Sequence, residues 1–98
     1  ENGLVAYKYR DLNVIMKDGF VRALESNTNY ANTKRDIHQG SSLNDVLSAY
    51  GNDVMKTEYN GLILYEYDKK KNSNVTCRLR FAIDQSNTVN YITIRVLE

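Results

Sequence analysis

Hydrophobic and polar residues alternate with a period near two from Leu4 to Ser26, the spacing of strands that bury one face. Leu4 to Tyr9 reads as a first strand, Arg10-Asp11 as a turn and Leu12 to Lys17 as a second strand. Asp18-Gly19 is a two-residue hairpin signal leading into a third strand, Phe20 to Glu25. A polar connector rich in Asn and Thr runs from Ser26 to Gln39 and is closed by Gly40. It is long for a structureless loop, which predicts an ordered crossing over the domain.

The period then changes. Leu43, Val46, Leu47 and Tyr50 fall at i, i+3, i+4 and i+7, one apolar stripe over about two helical turns. Ser42 stands where an N-cap hydroxyl accepts from the amide three residues on, and Asp45 completes a capping-box variant at the positive end of the dipole. Gly51 supplies the C-cap. Beyond it the alternation returns in Gly61 to Tyr67, Val75 to Ile83 and Thr88 to Leu97, joined by polar turns at Asp68 to Asn74 and Asp84 to Asn87. These elements predict an α+β fold: an antiparallel sheet in the order βββ-α-βββ, with one short helix at about 42–50 packed on one face. The chain divides into a first meander (1–26), a connector with helix (27–60) and a second meander (61–98) of one domain.

The two meanders echo one another. Gly3-Leu4-Val5-Ala6-Tyr7-Lys8-Tyr9 matches Gly61-Leu62-Ile63-Leu64-Tyr65-Glu66-Tyr67 at four of seven positions. A repeat built from a helix and a three-stranded meander accounts for this, the first unit's helix lying upstream of Glu1 or being lost.

Composition narrows the chemistry. Ninety-eight residues suffice for one core, and 13 Lys plus Arg against 12 Asp plus Glu leave a net charge of +1, with no general pull toward nucleic acid or an anionic membrane. No apolar run approaches the length of a transmembrane helix. The chain starts at Glu1 without a signal-peptide pattern, which suggests a processed or trimmed chain whose leader or anchor has been removed. The single cysteine, Cys77, excludes an internal disulfide and multi-cysteine metal motifs, and its alternation places it among buried hydrophobes. No metal-ligand spacing or phosphate-cradling glycine motif is present, so no cofactor is expected. Lys69-Lys70-Lys71 reads as a solvated hairpin tip, and Asn74-Val75-Thr76 fits an N-glycosylation pattern.

From Thr33 to Gly51 the sequence resembles small extracytoplasmic proteins and lipoproteins of Gram-positive bacteria. Their pattern runs Thr-x-Arg-Gly-Ile-x-x-Gly-x-Ser-x-x-Asp-Val-x-x-x-Tyr-Gly and precedes a Tyr-rich strand. The resemblance is to the β-lactamase-inhibitor-protein-like fold and related small outer-membrane lipoprotein modules. It implies a cell-envelope location and a tandem repeat, here without its first helix. Asp36 departs from the pattern's glycine, which puts the local backbone in question. The motif's residues cap, bury or turn the chain; none is catalytic.

A nucleophile–base cluster can be drawn on paper from His38, Asp36, Ser41 and Ser42, but capping already explains Ser42. A small hydrolase is therefore the third-ranked reading. The sheet face offers more. Val75, Cys77, Leu79, Phe81 and Ile83 alternate with Thr76, Arg78 and Arg80, and Ile92, Ile94 and Val96 with Tyr91, Thr93 and Arg95. One short helix covers only one side of such a sheet. The side left open is expected to gather Tyr65, Tyr67, Arg78, Arg80, Tyr91 and Arg95, with Tyr7 and Tyr9 in the equivalent place of the first meander. Tyr and Arg dominate protein-binding hot spots. The expected function is a non-enzymatic cell-envelope module binding a protein or cell-wall-associated partner. The alternative is a structural domain of a larger surface protein, its open face paired with a neighbouring domain or a second copy.

Overall fold

The computed structural model describes residues 3–9, 12–29 and 31–97. The first meander comprises β1 (Leu4–Lys8), β2 (Asn13–Lys17) and β3 (Phe20–Ser26); the Arg10-Asp11 turn lies outside the described residues. After the connector come α1 (Leu43–Tyr50), then β4 (Met55–Tyr59), β5 (Leu62–Lys71), β6 (Asn74–Ile83) and β7 (Val89–Val96). The fold is α+β, with one seven-stranded antiparallel sheet and one short helix. The order is βββ-α-ββββ, and this corrects the expected three strands after the helix. The added strand, β4, is a five-residue exposed edge whose apolar positions, Met55 and Tyr59, bracket a threonine, so its alternation is a weak signal. Its marker is the Asn60-Gly61 dipeptide, whose φ values of 51° and 81° make the two-residue turn into β5.

The strands lie in the order β1-β2-β3-β7-β6-β5-β4. The meanders meet where Ala23 pairs with Arg95 and Glu25 with Thr93. From that seam outward, β3 mirrors β7, β2 mirrors β6 and β1 mirrors β5, so the echoed segments occupy equivalent places; among the described residues β4 has no counterpart. The β5–β6 hairpin is longer than its sequence suggests. The strands continue through Lys71 and from Asn74, leaving Asn72-Ser73 as a two-residue turn with φ of 52° and 72°.

The helix forms as its caps dictate. Ser42 Oγ accepts from the Asp45 N–H at 3.0 Å, and the Gly51 N–H donates to the Leu47 carbonyl at 2.8 Å. Val46 seats in a core of Ile37, Tyr65, Phe81, Ile83, Val89 and Ile92. Tyr50 and Tyr67 flank Phe81 at centroid distances of 5.3 and 6.1 Å, and the Tyr67 hydroxyl donates to the Gly51 carbonyl at 2.8 Å.

Late in the connector the Thr33 N–H donates to the Ile37 carbonyl at 2.7 Å. Gly40 N–H donates to the Val89 carbonyl and Val89 N–H to the Ser41 carbonyl, both at 2.8 Å, which anchors the connector to the start of β7. Asp36 takes a left-handed φ of 66°, so the aspartate adopts a backbone region that glycine favours; Asp tolerates it better than most residues. Its N–H donates to the Thr33 carbonyl, and the turn delivers Ile37 into the core.

Candidate binding face

Register decides which side chains share the face opposite α1. One row runs Glu66, Arg80, Thr93, Glu25, Asn13, Lys8 from β5 to β1, following the cross-strand partners. The next runs Asp68, Arg78, Arg95, Ala23, Ile15, Ala6. These rows gather Arg78, Arg80 and Arg95, and the same alternation adds Tyr91, opposite Ala82.

Tyr65 and Tyr67 do not join them. Tyr65 pairs with Phe81 and Tyr67 with Leu79 on the helix side, where Tyr65 is buried and the Lys56 ammonium stands 5.4 Å from its ring centroid. Tyr7 follows, in register with Val14 on the same side. The physical reason is that β5 alternates two plausible sets. Leu62 and Leu64 look like core, but Glu66 and Asp68 share their parity and need the arginines across the hairpin. Opposite charge at matching β5 and β6 positions is the signal that places them. Burial pushes the Tyr67 phenol up, with the charge of the neighbouring Tyr65 as the lesser cause.

The three arginines differ in what they are free to do. Arg80 Nε and Nη2 donate to Glu66 Oε2 at 3.1 and 2.9 Å. Arg78 Nε donates to Asp68 Oδ1 at 2.7 Å and its Nη2 to Oδ2 at 3.2 Å. That hydrogen-bonded fork holds the Asp68 carboxyl below its ordinary range and raises the Arg78 guanidinium. Arg95 is exposed and forms no ion pair among the described residues, although it stands opposite Arg78. A trough of about 450 Å³ lies here, lined by Asn13, Glu25, Tyr59, Arg80, Asn90, Tyr91, Thr93 and Arg95. Sequence reasoning missed Tyr59, because β4 was not recognised, and Asn13 and Glu25, because nothing in the pattern pairs the first meander with the last strand.

The drawn hydrolytic cluster is engaged in backbone contacts. Ser41 is buried and its Oγ accepts from the His38 N–H at 3.1 Å, Ser42 caps α1, and His38 Nδ1 lies 2.8 Å from the Gln39 carbonyl. Among the described residues no group of three or more His, Cys, Asp or Glu is placed to hold a metal ion. No described helix is long and apolar enough to cross a membrane.

No protein-family model and no curated protein matches the chain. A solved structure is similar in fold: the crystal structure of a DUF4309 family protein (YjgB) from Bacillus subtilis subsp. subtilis str. 168, at a TM-score of 0.57 and 15% identity. The match covers 99% of this chain and 66% of that one, so the chain spans just under two thirds of its neighbour's length.

Proposed function

We propose that this chain is a non-enzymatic interaction module of the cell envelope, binding a protein or cell-wall-associated partner through the polar sheet face. The observation that carries the reading is the trough of about 450 Å³, with Tyr59, Tyr91 and Arg95, which forms no ion pair among the described residues, on its walls. Rings and guanidinium give large contact area with polar tips, the combination enriched at binding hot spots. Arg78 and Arg80 frame the face, and their carboxylate partners hold them in place. The extracytoplasmic location and a tandem arrangement like that of the β-lactamase-inhibitor-protein fold rest on the resemblance of Thr33 to Gly51.

Arg95→Ala and Tyr91→Ala variants test the reading in binding assays against envelope extract, beside the unchanged chain. A partner retained by the native chain and lost by both variants, at unchanged thermal stability, supports it. Equal capture by all three rejects it. The second reading is a structural domain of a larger surface protein, its open face paired with a neighbouring domain or a second copy.

A further inference from the structure

Two kinds of polar side chain share the face opposite α1. Arg78 and Arg80 are paired, with Asp68 and Glu66. By contrast, Asn13, Glu25, Asn90 and Arg95 form no side-chain hydrogen bond or ion pair among the described residues, and all four line the trough of about 450 Å³. Register fixes their spacing. Asn13, Glu25, Thr93 and Arg80 are successive cross-strand partners from β2 to β6, so three strand spacings set them along a line of about 14 Å. Tyr91, opposite Ala82, and Tyr59, opposite Leu62, bring their rings to the same trough.

This set suits a sugar better than a peptide. A ring hydroxyl both donates and accepts; an asparagine amide offers a donor and an acceptor side by side, and a carboxylate accepts from two neighbouring hydroxyls. The electron-rich face of a tyrosine ring packs against the C–H face of a pyranose. An extended peptide is recognised by adding a strand to an unpaired edge, and the row lies on β2, β3, β7 and β6, each paired on both sides. Arg95 adds a sign. It stands opposite Arg78 on one side and Ala23 on the other, and Asp68 offsets Arg78 alone. Glu25 lies diagonal to Arg95, in the next row, and the two form no ion pair. The row Asp68, Arg78, Arg95, Ala23 therefore carries an uncompensated positive charge, whose guanidinium fork matches a carboxylate.

We propose that the trough binds a carboxylate-bearing oligosaccharide. Asn13, Glu25 and Asn90 take the ring hydroxyls, Tyr59 and Tyr91 the apolar ring faces, and Arg95 the carboxylate. The assignment rests on the binding face proposed above and names its ligand class.

The probes are tetragalacturonate, the tetrasaccharide of alternating N-acetylglucosamine and N-acetylmuramic acid, and the carboxyl-reduced form of each. They are titrated into the isotope-labelled chain while its amide and arginine Nε–H resonances are followed by NMR. The expected result is saturable shifts of the Asn13 and Asn90 side-chain amides and the Arg95 Nε–H with one or both acidic probes, and binding of the reduced form weaker by about tenfold or more. Arg95→Ala should weaken the acidic probe to the level of the reduced one and leave the reduced one unchanged. Tyr59→Ala should weaken both by about threefold or more, and Tyr59→Phe should restore them. Arg95 and Tyr59 are exposed, so these variants keep the fold. Absence of shifts with both acidic probes overturns the assignment. So do shifts centred on Lys69–Lys71, where charge alone would gather an anion. If neither acidic probe binds while envelope protein is still captured in an Arg95-dependent way, the ligand class falls and the binding reading stands; if capture is also indifferent to Arg95, both fall.

Discussion

Two arginine–carboxylate pairs stand in adjacent rows of the polar face, and truncation should separate them. The Glu66 side chain keeps 9% of its surface exposed and Arg80 26%, against 20% for Asp68 and 34% for Arg78. Removing one partner of a fully buried pair costs about 3–5 kcal/mol, because the other charge is left without compensation. Arg80 retains enough contact with water to recover part of that loss, which brings Glu66→Ala to about 2–3 kcal/mol, within reach of a charge-assisted hydrogen bond. Asp68→Ala breaks a more exposed pair and should cost under about 1 kcal/mol. At roughly 4–8 °C per kcal/mol for a domain of this size, Glu66→Ala lowers Tm by roughly 10–20 °C. Urea unfolding of both double-mutant cycles is the assay, since each cycle isolates the coupling within one pair. Equal coupling in the two cycles, or a Glu66→Ala chain as stable as the native one, would refute the reasoning.

Three further outcomes follow from the geometry. Phe81→Ala removes a fully buried ring that packs against both Tyr50 and Tyr67 and should cost about 3–5 kcal/mol, read as a lower urea midpoint. Gly51 sits at φ 97° and ψ 172°, a region essentially reserved for glycine, with nothing within 4 Å of an added Cβ. Gly51→Ala should therefore cost about 1–3 kcal/mol through backbone strain alone, and Gly51→Asn should lose no less, by the same denaturation measurement. The Asp84 carboxylate is held below its ordinary value of 3.8 by the backbone N–H of Thr88 first, then by the Thr88 hydroxyl and the Ser86 N–H. Its contribution is full above that value and fades as pH falls below it. Asp84→Asn should flatten the acid limb of a Tm-against-pH profile, and an unchanged limb would assign acid sensitivity elsewhere.

The helix was readable because three independent local signals agreed: the Ser42 cap, the apolar stripe and Gly51. The strands of both meanders were readable because each alternates, and the Asp18-Gly19 turn took the left-handed φ pair its residues favour, 54° and 82°. β4 was not, since its alternation is only five residues long and rests on Met55 and Tyr59 alone. The binding face was half legible. Arg78, Arg80, Tyr91 and Arg95 share it because their strands alternate cleanly, whereas β5 carries apolar or aromatic residues at both parities. A one-residue change of parity there moves Tyr65 from surface to core. The pairing of β3 with β7, which brings Glu25 and Asn13 beside Thr93, is a non-local choice with no trace in local pattern.

That seam has a consequence for how the molecule is made. β7 is made after the other six strands, yet it lies in the middle of the sheet, between β3 and β6. The first meander can form early but gains its central neighbour only after α1 and β4–β6 have been made. Until then β3 presents an unpaired edge, the kind of surface on which nascent chains mispair. Loss of the C-terminal strand would not trim the sheet at its border. It would cut the sheet in two, leaving β1–β3 and β4–β6 as separate halves with no hydrogen bond between them.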